Sequence, residues 1–227
     1  MISCQYDSDR IRNSDKDPKG YSGVFISFEG VESSGKTTQA KLLWEWLSPR
    51  VSEVVHTREP GGTVLGERIR ELLLQSEEIS LAPLTESLLF AAARAQLVHE
   101  VIAPTLRRGG VVLSDRFIDS SLAYQGYGLG VPLDTIWSIN EAALRQATPD
   151  ITFLLGRGEE LSAAVERPPN DRIESRDEGF HQRVRLGFSD LACRFPDRII
   201  VIDVGAGVEE TAEVIRQCVR ERMSIGC

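Results

Sequence analysis

The sequence lacks the features that mark several large classes of protein. Its four cysteines, Cys4, Cys193, Cys218 and Cys227, include no CxxC pair and no metal-ligand spacing. Neither a disulfide framework nor a cysteine-ligated metal is therefore expected. No apolar run approaches the roughly 20 residues that a membrane-spanning helix requires. These absences favour a protein with free thiols and no membrane partner.

Positive charge is also scarce, because 26 Lys and Arg stand against 34 Asp and Glu, for a net charge of −8. A protein that binds a nucleic acid polymer favours a basic surface, so no such partner is expected. A local group of arginines and backbone N–H groups can still bind the phosphates of a nucleotide within an acidic protein.

The first 20 residues are mostly polar and contain no apolar stretch of the kind found in a secretion signal. We expect residues 1–20 to be a flexible extension, residues 21–227 to form one domain, and the protein to be cytoplasmic.

From residue 21 onward, short apolar segments alternate with segments of helical periodicity. Strands are predicted at 24–28, 51–56, 111–115, 151–155 and 198–204. This alternation predicts an α/β fold of the P-loop NTPase-like, three-layer type, with helices on both faces of a five-stranded parallel sheet. A short helix is predicted from Phe117 to Tyr124, ended by the glycines at 126, 128 and 130. The polar segment 167–179 reads as a loop that acts as a lid.

The segment Gly30–Thr37 matches the phosphate-binding pattern GxxxxGK[ST], and it lies between a predicted strand and a predicted helix. The glycines let successive N–H groups form an anion nest, and the following helix adds the positive end of its dipole. Lys36 brings a full positive charge to the β- and γ-phosphates, and the Thr37 hydroxyl is a hard oxygen ligand for Mg²⁺. ATP and Mg²⁺ are the predicted cofactors. The residues predicted to bind them are Gly30, Val31, Glu32, Ser33, Ser34, Gly35, Lys36, Thr37 and Thr38.

A second acidic part of such a site is predicted at the end of another buried strand. Asp115 closes the strand VVLSD and is the candidate metal ligand beside Thr37. An Asp that ends a strand also occurs as a turn or cap residue, so this alternative stays open.

The phosphate-binding loop contains no second basic residue between Gly30 and Gly35. Because charge builds on the transferring phosphoryl group, a guanidinium is expected from elsewhere. Arg167, Arg172 and Arg176 in the predicted lid are the candidates, and for each of them a solvated charged loop is the alternative reading.

A P-loop is shared by kinases, GTPases and motors. The base-reading pattern NKxD of guanine-specific switches is absent from the ends of the last two predicted strands. The short chain and the lid-like segment favour a small phosphotransferase, with one site for ATP and one for an acceptor.

Several segments taken together identify a family. They are FISFEG before the P-loop, TREPGGT at 57–63, LFAAARAQ at 89–96, SDRF at 114–117, SSLAYQG at 120–126, PD at 149–150 and DRIE at 171–174. In this order they resemble bacterial thymidylate kinases, from about Gly23 to beyond Asp203. The resemblance implies the reaction ATP + dTMP → ADP + dTDP, and a homodimer.

The resemblance also implies a role for each acceptor-site residue. Glu32 matches the carboxylate that accepts from the 3′-hydroxyl of dTMP, and Arg58 and Arg116 match the acceptor-phosphate residues. The residues implied to contact the nucleoside are Phe90, which stacks on the base, Arg94 and Ser121, which contact the base, Tyr124, which crowds the sugar 2′ position, and Gln125, which is next to Tyr124.

Lys36, Arg116 and Arg167 are the implied catalytic residues. Arg167 stands four residues before Asp171, the spacing of family members that carry the catalytic arginine in the lid, and is preferred over Arg172. The sequence departs from the family pattern at Phe117, where a tyrosine is usual, at Gly156, and at Pro168-Pro169. Two alternatives therefore stay open: a P-loop kinase for another nucleotide, and a catalytically weak nucleotide-binding regulator.

Overall fold

The structure, a computed structural model, describes residues 22–75, 79–157 and 171–223. Within these ranges the chain forms one five-stranded sheet in the order β2-β3-β1-β4-β5, with every strand pair parallel. The strands are β1 (Val24–Glu29), β2 (Val54–Arg58), β3 (Val111–Asp115), β4 (Ile151–Gly156) and β5 (Ile199–Asp203). The predicted α/β architecture is confirmed, although β2 begins at Val54 and not at residue 51.

Helices connect these strands. They are α1 (Lys36–Leu47), α2 (Val64–Leu74), α3 (Pro83–Leu97), α4 (Ala103–Arg107), α5 (Ile118–Ser121), α6 (Leu133–Leu144), α7 (Glu178–Arg194) and α8 (Val208–Met223). Two π-helical segments continue others: Val98–Ile102 joins α3 to α4, and Leu122–Gly128 follows α5. No helix in the described ranges has both the length and the apolar composition that crossing a bilayer requires.

Among the described residues, the sheet separates the two larger of three apolar clusters. Because side chains alternate along a strand, Phe25 lies in one cluster and its neighbour Ile26 in the other. On the Ile26 face, Leu43 of α1 packs with Ile215 of α8. On the Phe25 face, Phe180 of α7 packs against Tyr124 of the π-helical segment that follows α5. Helices therefore cover both faces, as the continuous apolar strands predict.

The prediction that glycines end the helix after Tyr124 is wrong, because helical structure continues to Gly128. The glycines serve close packing instead. A Cβ on Gly128 would lie 2.5 Å from the Phe180 ring, and one on Gly126 would lie 2.5 Å from a Leu133 methyl group. Of the three glycines at 126, 128 and 130, only Gly130, with φ +76°, adopts the left-handed conformation expected of a chain break.

The predicted lid, 167–179, is described only from Asp171. Its last two residues are helical, because α7 begins at Glu178. The side chain of Asp177 accepts a hydrogen bond from the Phe180 N–H at 3.0 Å and so caps this helix. Arg167, the two prolines after it and the extension 1–20 lie outside the described residues.

The sheet register gathers the segments that the sequence singles out. Asp115 is aligned with Phe28 of β1 on one side and with Arg58 of β2 on the other. The P-loop follows directly after β1. The carboxyl ends of three adjacent strands therefore meet at one edge of the sheet, which is where α/β folds place their ligands.

Candidate active site

The P-loop backbone adopts the strained conformations that its glycines allow. Gly30 has φ +132°, and a Cβ there would lie 2.3 Å from the Leu155 carbonyl oxygen, so no side chain fits. Gly35 has φ +88° and precedes α1, whose first turn has no capping side chain among the described residues. The N–H groups at the start of α1 are therefore available to an anion.

Lys36 is buried at the base of this loop. Its Nζ donates to the Val31 carbonyl oxygen at 2.6 Å and to Ser34 Oγ at 3.3 Å. Burial, together with the nearby Arg116 guanidinium, lowers the pKa of Lys36 to about 7. A phosphate oxygen bound beside this amine would favour its charged form.

Thr37 and Asp115 bring two hard oxygen ligands together. The hydroxyl Oγ1 of Thr37 donates a hydrogen bond to Oδ2 of Asp115. The turn-residue alternative for Asp115 therefore does not describe its contact, since the carboxylate faces the first turn of α1. A hydroxyl and a carboxylate are the donors that Mg²⁺ favours beside nucleotide phosphates.

Arg116 is at the centre of a second polar group. Its NH1 donates to the Gly30 carbonyl oxygen and to Ser120 Oγ, both at 3.0 Å, and its NH2 lies 3.4 Å from Glu32 Oε1. The Tyr124 hydroxyl donates to the same Glu32 oxygen at 2.5 Å. Burial raises the pKa of Glu32, but Arg116 and Tyr124 outweigh it and hold that pKa below its ordinary value. Glu32 is therefore ionised at neutral pH.

Two further arginines stand beside Arg116. Arg58 is exposed, and its NH2 contacts both carboxylate oxygens of Glu67 at 3.0 Å. Arg70 is half-buried and donates to the Pro60 carbonyl oxygen at 2.9 Å. Burial, followed by the charge of Arg58, lowers the pKa of Arg70. Arg70 was not singled out from the sequence, where nothing distinguishes it from Arg68, which is exposed and pairs with Glu71.

Arg94 is only 1% exposed and is held from several sides. Its Nε and NH2 donate to Glu59 Oε2 at 2.9 and 2.5 Å, and NH1 donates to Asn140 Oδ1 at 2.7 Å. NH2 also lies 2.9 Å from Ser121 Oγ. Burial raises the pKa of Glu59 to about 7 despite the attraction of Arg94. Arg94 is thus paired with a buried carboxylate, and it also lines the cavity described below.

The buried carboxylate of Glu86 connects Arg172 of the DRIE segment to Gln125. It accepts from Arg172 NH2 at 2.8 Å, from Arg176 NH2 at 2.6 Å and from Gln125 Nε2 at 3.1 Å. Burial raises the pKa of Glu86, but Arg176 and Arg172 together bring it below its ordinary value. Arg172 and Arg176 are therefore engaged here, away from the P-loop.

Many of these groups line one cavity of about 280 Å³, whereas Glu86, Arg172 and Arg176 do not. It is lined by twelve of the residues predicted from the sequence: Glu32, Ser33, Lys36, Thr37, Arg58, Phe90, Arg94, Asp115, Arg116, Ser121, Tyr124 and Gln125. The predicted P-loop residues Gly30, Val31, Ser34, Gly35 and Thr38 are not part of its lining. The cavity also includes Glu59, Arg70 and Ser120, which the sequence reasoning missed.

Comparisons with known proteins show the family to which the chain belongs. A family model described as thymidylate kinase matches residues 28–215. The chain belongs to the thymidylate kinase family. It is 47% identical to a thymidylate kinase of an Exiguobacterium species, over 90% of this chain and 98% of the relative. It is 52% identical to that of Pelotomaculum thermopropionicum, over 80% of this chain and 85% of the relative.

A solved structure extends the likeness to three dimensions. The thymidylate kinase of Ehrlichia chaffeensis matches with a TM-score of 0.73 and 38% identity, over 87% of this chain and 98% of the other.

Phe117, one of the departures from the family pattern, lies in the core of the protein. Phe117 is fully buried, its ring 4.8 Å from that of Phe25 and beneath the Arg94 guanidinium at 5.1 Å.

Proposed function

We propose that this protein transfers the γ-phosphoryl group of ATP to dTMP, forming ADP and dTDP. The observation that carries the proposal is the single cavity that joins Lys36 and Thr37 of the P-loop to Arg116, Phe90 and Tyr124. A phosphotransferase requires its two substrates to meet in line within one water-excluding site.

The donor end of the cavity fits ATP. The P-loop backbone from Gly30 to Thr38 and the uncapped start of α1 offer N–H groups to the β- and γ-phosphates, with Lys36 as the counter-charge. Thr37 and Asp115 would hold Mg²⁺, which when bound neutralises charge on the phosphates. The contact between their oxygens supports this assignment.

The acceptor end has the charge that a monophosphate needs. Arg116 and Arg58 lie near it, and Arg70 adds a third guanidinium that faces the same space. Guanidinium groups bind phosphate oxygens in a bidentate manner. The attacking phosphate oxygen is already ionised near neutral pH, so the protein aligns and neutralises charge and no general base is required.

The nucleoside would occupy the part of the cavity that is lined by Phe90, Arg94 and Tyr124. Phe90 would stack on the thymine ring, while Arg94 and Ser121 offer polar groups to its edge. Glu32, ionised and turned toward Tyr124, would accept from the sugar 3′-hydroxyl, and Tyr124 would crowd the 2′ position. Arg167 stays the proposed source of the lid charge, and the contacts of Arg172 and Arg176 with Glu86 favour it over those two arginines.

We also propose that the protein is a homodimer built through α2 and α3. These two helices carry a group of exposed apolar side chains: Val64, Leu65 and Leu72 on α2, and Leu84 and Leu88 on α3. Exposed apolar patches of this kind mark interaction surfaces. Light scattering should give twice the chain mass for the wild type and the single mass for Leu88→Glu.

The test of the activity is an ADP-release assay with Mg-ATP across the nucleoside monophosphates. Turnover of dTMP far above that of dUMP, dCMP, dGMP and AMP is expected. Lys36→Ala should lower kcat by about 100-fold or more, since it removes a preorganised charge at the transferring group. A preference for another monophosphate would identify a different kinase, and binding of ATP and dTMP without turnover would identify a regulator.

A further inference from the structure

Arg116 has a backbone conformation that requires support. Its φ is +71°, in the left-handed region that few residues other than glycine adopt. Such a conformation is strained and persists only where the surroundings fix it. Because the guanidinium of Arg116 lines the cavity, whatever fixes this backbone also sets the position of that charge.

The support comes from the end of β1. The Arg116 N–H donates to the Phe28 carbonyl oxygen at 2.9 Å, which continues the sheet. The next N–H, that of Phe117, donates to a side chain, Glu29 Oε1, at 2.8 Å. Glu29 thus replaces the strand partner at the point where the chain turns away from the sheet.

The other oxygen of the same carboxyl group reaches the Arg116 side chain through Ser120. Ser120 Oγ lies 2.5 Å from Glu29 Oε2, and the same Oγ accepts from Arg116 NH1 at 3.0 Å. Glu29 therefore fixes the backbone on one side of Arg116 and orients the hydroxyl that binds its guanidinium on the other.

Glu29 itself is fully buried and is not part of the cavity lining. The charged groups that interact with it are Asp119, Arg116 and Lys36. Asp119 is bound by Arg198, whose NH1 and NH2 lie 2.6 and 2.8 Å from its two oxygens. A carboxyl group in this position has no route to a substrate, and its contacts are with the turn that carries Arg116.

We propose that Glu29 is a positioning residue for the transfer reaction: through the Phe117 N–H and Ser120 it holds Arg116 where its guanidinium meets the acceptor phosphate. The inference rests on the proposed function and adds to it the residue that makes the acceptor-phosphate site rigid. Glu29 acts through Arg116 and not on the substrate.

The test compares variants that separate hydrogen bonding from packing. Glu29→Met keeps the volume and removes both hydrogen bonds, whereas Glu29→Gln keeps an oxygen for the Phe117 N–H and a polar group beside Ser120. Glu29→Met should raise KM for dTMP about 10-fold or more and leave KM for ATP within about 2-fold, since a lost buried hydrogen bond is worth about a factor of ten. Glu29→Gln should restore most of the lost affinity for dTMP.

Ser120→Ala keeps the test decisive if Glu29→Met does not fold. Ser120→Ala should raise KM for dTMP by a smaller factor than Glu29→Met. The double variant should have the same KM for dTMP as Glu29→Met alone, because both residues act on Arg116 through the same contacts. The matched control is Glu53→Gln, a carboxylate that pairs with Arg108 away from the cavity; it should leave both KM values unchanged.

Calorimetric measurement of dTMP binding distinguishes failure of the proposed role of Glu29 from failure of the other assignments. Equal losses for ATP and dTMP, or unchanged dTMP binding in folded Glu29→Met and Ser120→Ala, overturn the role of Glu29. Unchanged dTMP binding in Arg116→Ala would instead remove Arg116 from the acceptor site. A wild-type protein that does not phosphorylate dTMP would refute the proposed function itself.

Discussion

Thr37 and Asp115 are 78 residues apart in the sequence, and the Thr37 hydroxyl donates a hydrogen bond to the Asp115 carboxylate. The first residue begins the helix after the P-loop, and the second ends the neighbouring strand β3. Parallel pairing of β1 with β3 brings them together, because it aligns Asp115 with Phe28 just before the loop. The pair is therefore a product of the sheet order.

Asp115→Asn should raise the free Mg²⁺ concentration needed for half-maximal activity by about 10-fold or more, since an anionic oxygen ligand is replaced by a neutral one. The measurement is the rate at saturating ATP and dTMP over a range of free Mg²⁺. Asp203→Asn is the matched control, because Asp203 also ends a strand but is exposed and binds the Gly205 N–H. Identical Mg²⁺ curves for Asp115→Asn and the wild type would contradict the assignment.

ATP binding should be accompanied by proton uptake. In the free protein the pKa of Lys36 is lowered to about 7 by burial and by Arg116. Phosphate oxygens favour the ammonium form, so at about pH 8 the protein takes up a proton, and affinity falls as the pH rises above about 7. Calorimetry at about pH 8 in two buffers of different ionisation enthalpy measures this uptake.

The heat of ATP binding should therefore differ between the two buffers for the wild type and should agree between them for Lys36→Met. Buffer-independent heats for the wild type would show that the lysine is already charged before the nucleotide binds.

Glu86→Ala should destabilise the fold strongly. Glu86 is fully buried and bound to Arg172 and Arg176, so its removal leaves two largely buried guanidinium groups without their carboxylate. Loss of one member of a buried ion pair costs about 3–5 kcal/mol. Urea unfolding followed by circular dichroism measures the loss. Glu141→Ala is the control, because it removes an exposed partner of Arg145 and should cost at most about 1 kcal/mol.

Stability should also depend on the protonation of Glu29. Burial, aided by Asp119, raises the pKa of Glu29 from 4.5 to about 8 in the folded protein. Between these values the folded state binds the extra proton, so this group stabilises the fold at low pH, and its contribution is lost as the pH rises through about 8. The unfolding free energies of the wild type and Glu29→Gln, compared at about pH 6 and pH 9, should show a larger fall with pH for the wild type. Parallel pH profiles for the two proteins would contradict the raised pKa.

Much of the fold and of the phosphate-binding half of the site could be predicted from the sequence, because both depend on local patterns. The P-loop is contiguous, and β3 has the predicted bounds. Gly128 could not be interpreted in this way, since the ring that requires a glycine there belongs to Phe180, far along the chain. The lid arginine, the cytosolic location and the dimer stay predictions.

The residues that were missed share a different cause. Arg70 and Arg68 are two positions apart on one helix, and only tertiary packing decides which of them faces the cavity. Glu29 ends an apolar strand, and its role could not be predicted from the sequence because its hydrogen-bond partners, the Phe117 N–H and Ser120, are distant in the chain. Both become visible only when distant segments are assembled.

The fixed position of the Arg94 side chain has a consequence for how selectively the protein would recognise a nucleobase. Its guanidinium is fixed by Glu59, Asn140 and Ser121 before any ligand arrives, so binding orders no new rotamer and little side-chain entropy is lost. A fixed donor does not adjust to a base analogue whose acceptor is displaced or missing. Analogues altered at the edge of the base that faces Arg94 should therefore bind much more weakly. Inhibitors that keep this edge and differ elsewhere should retain their affinity, because the site does not have to rearrange.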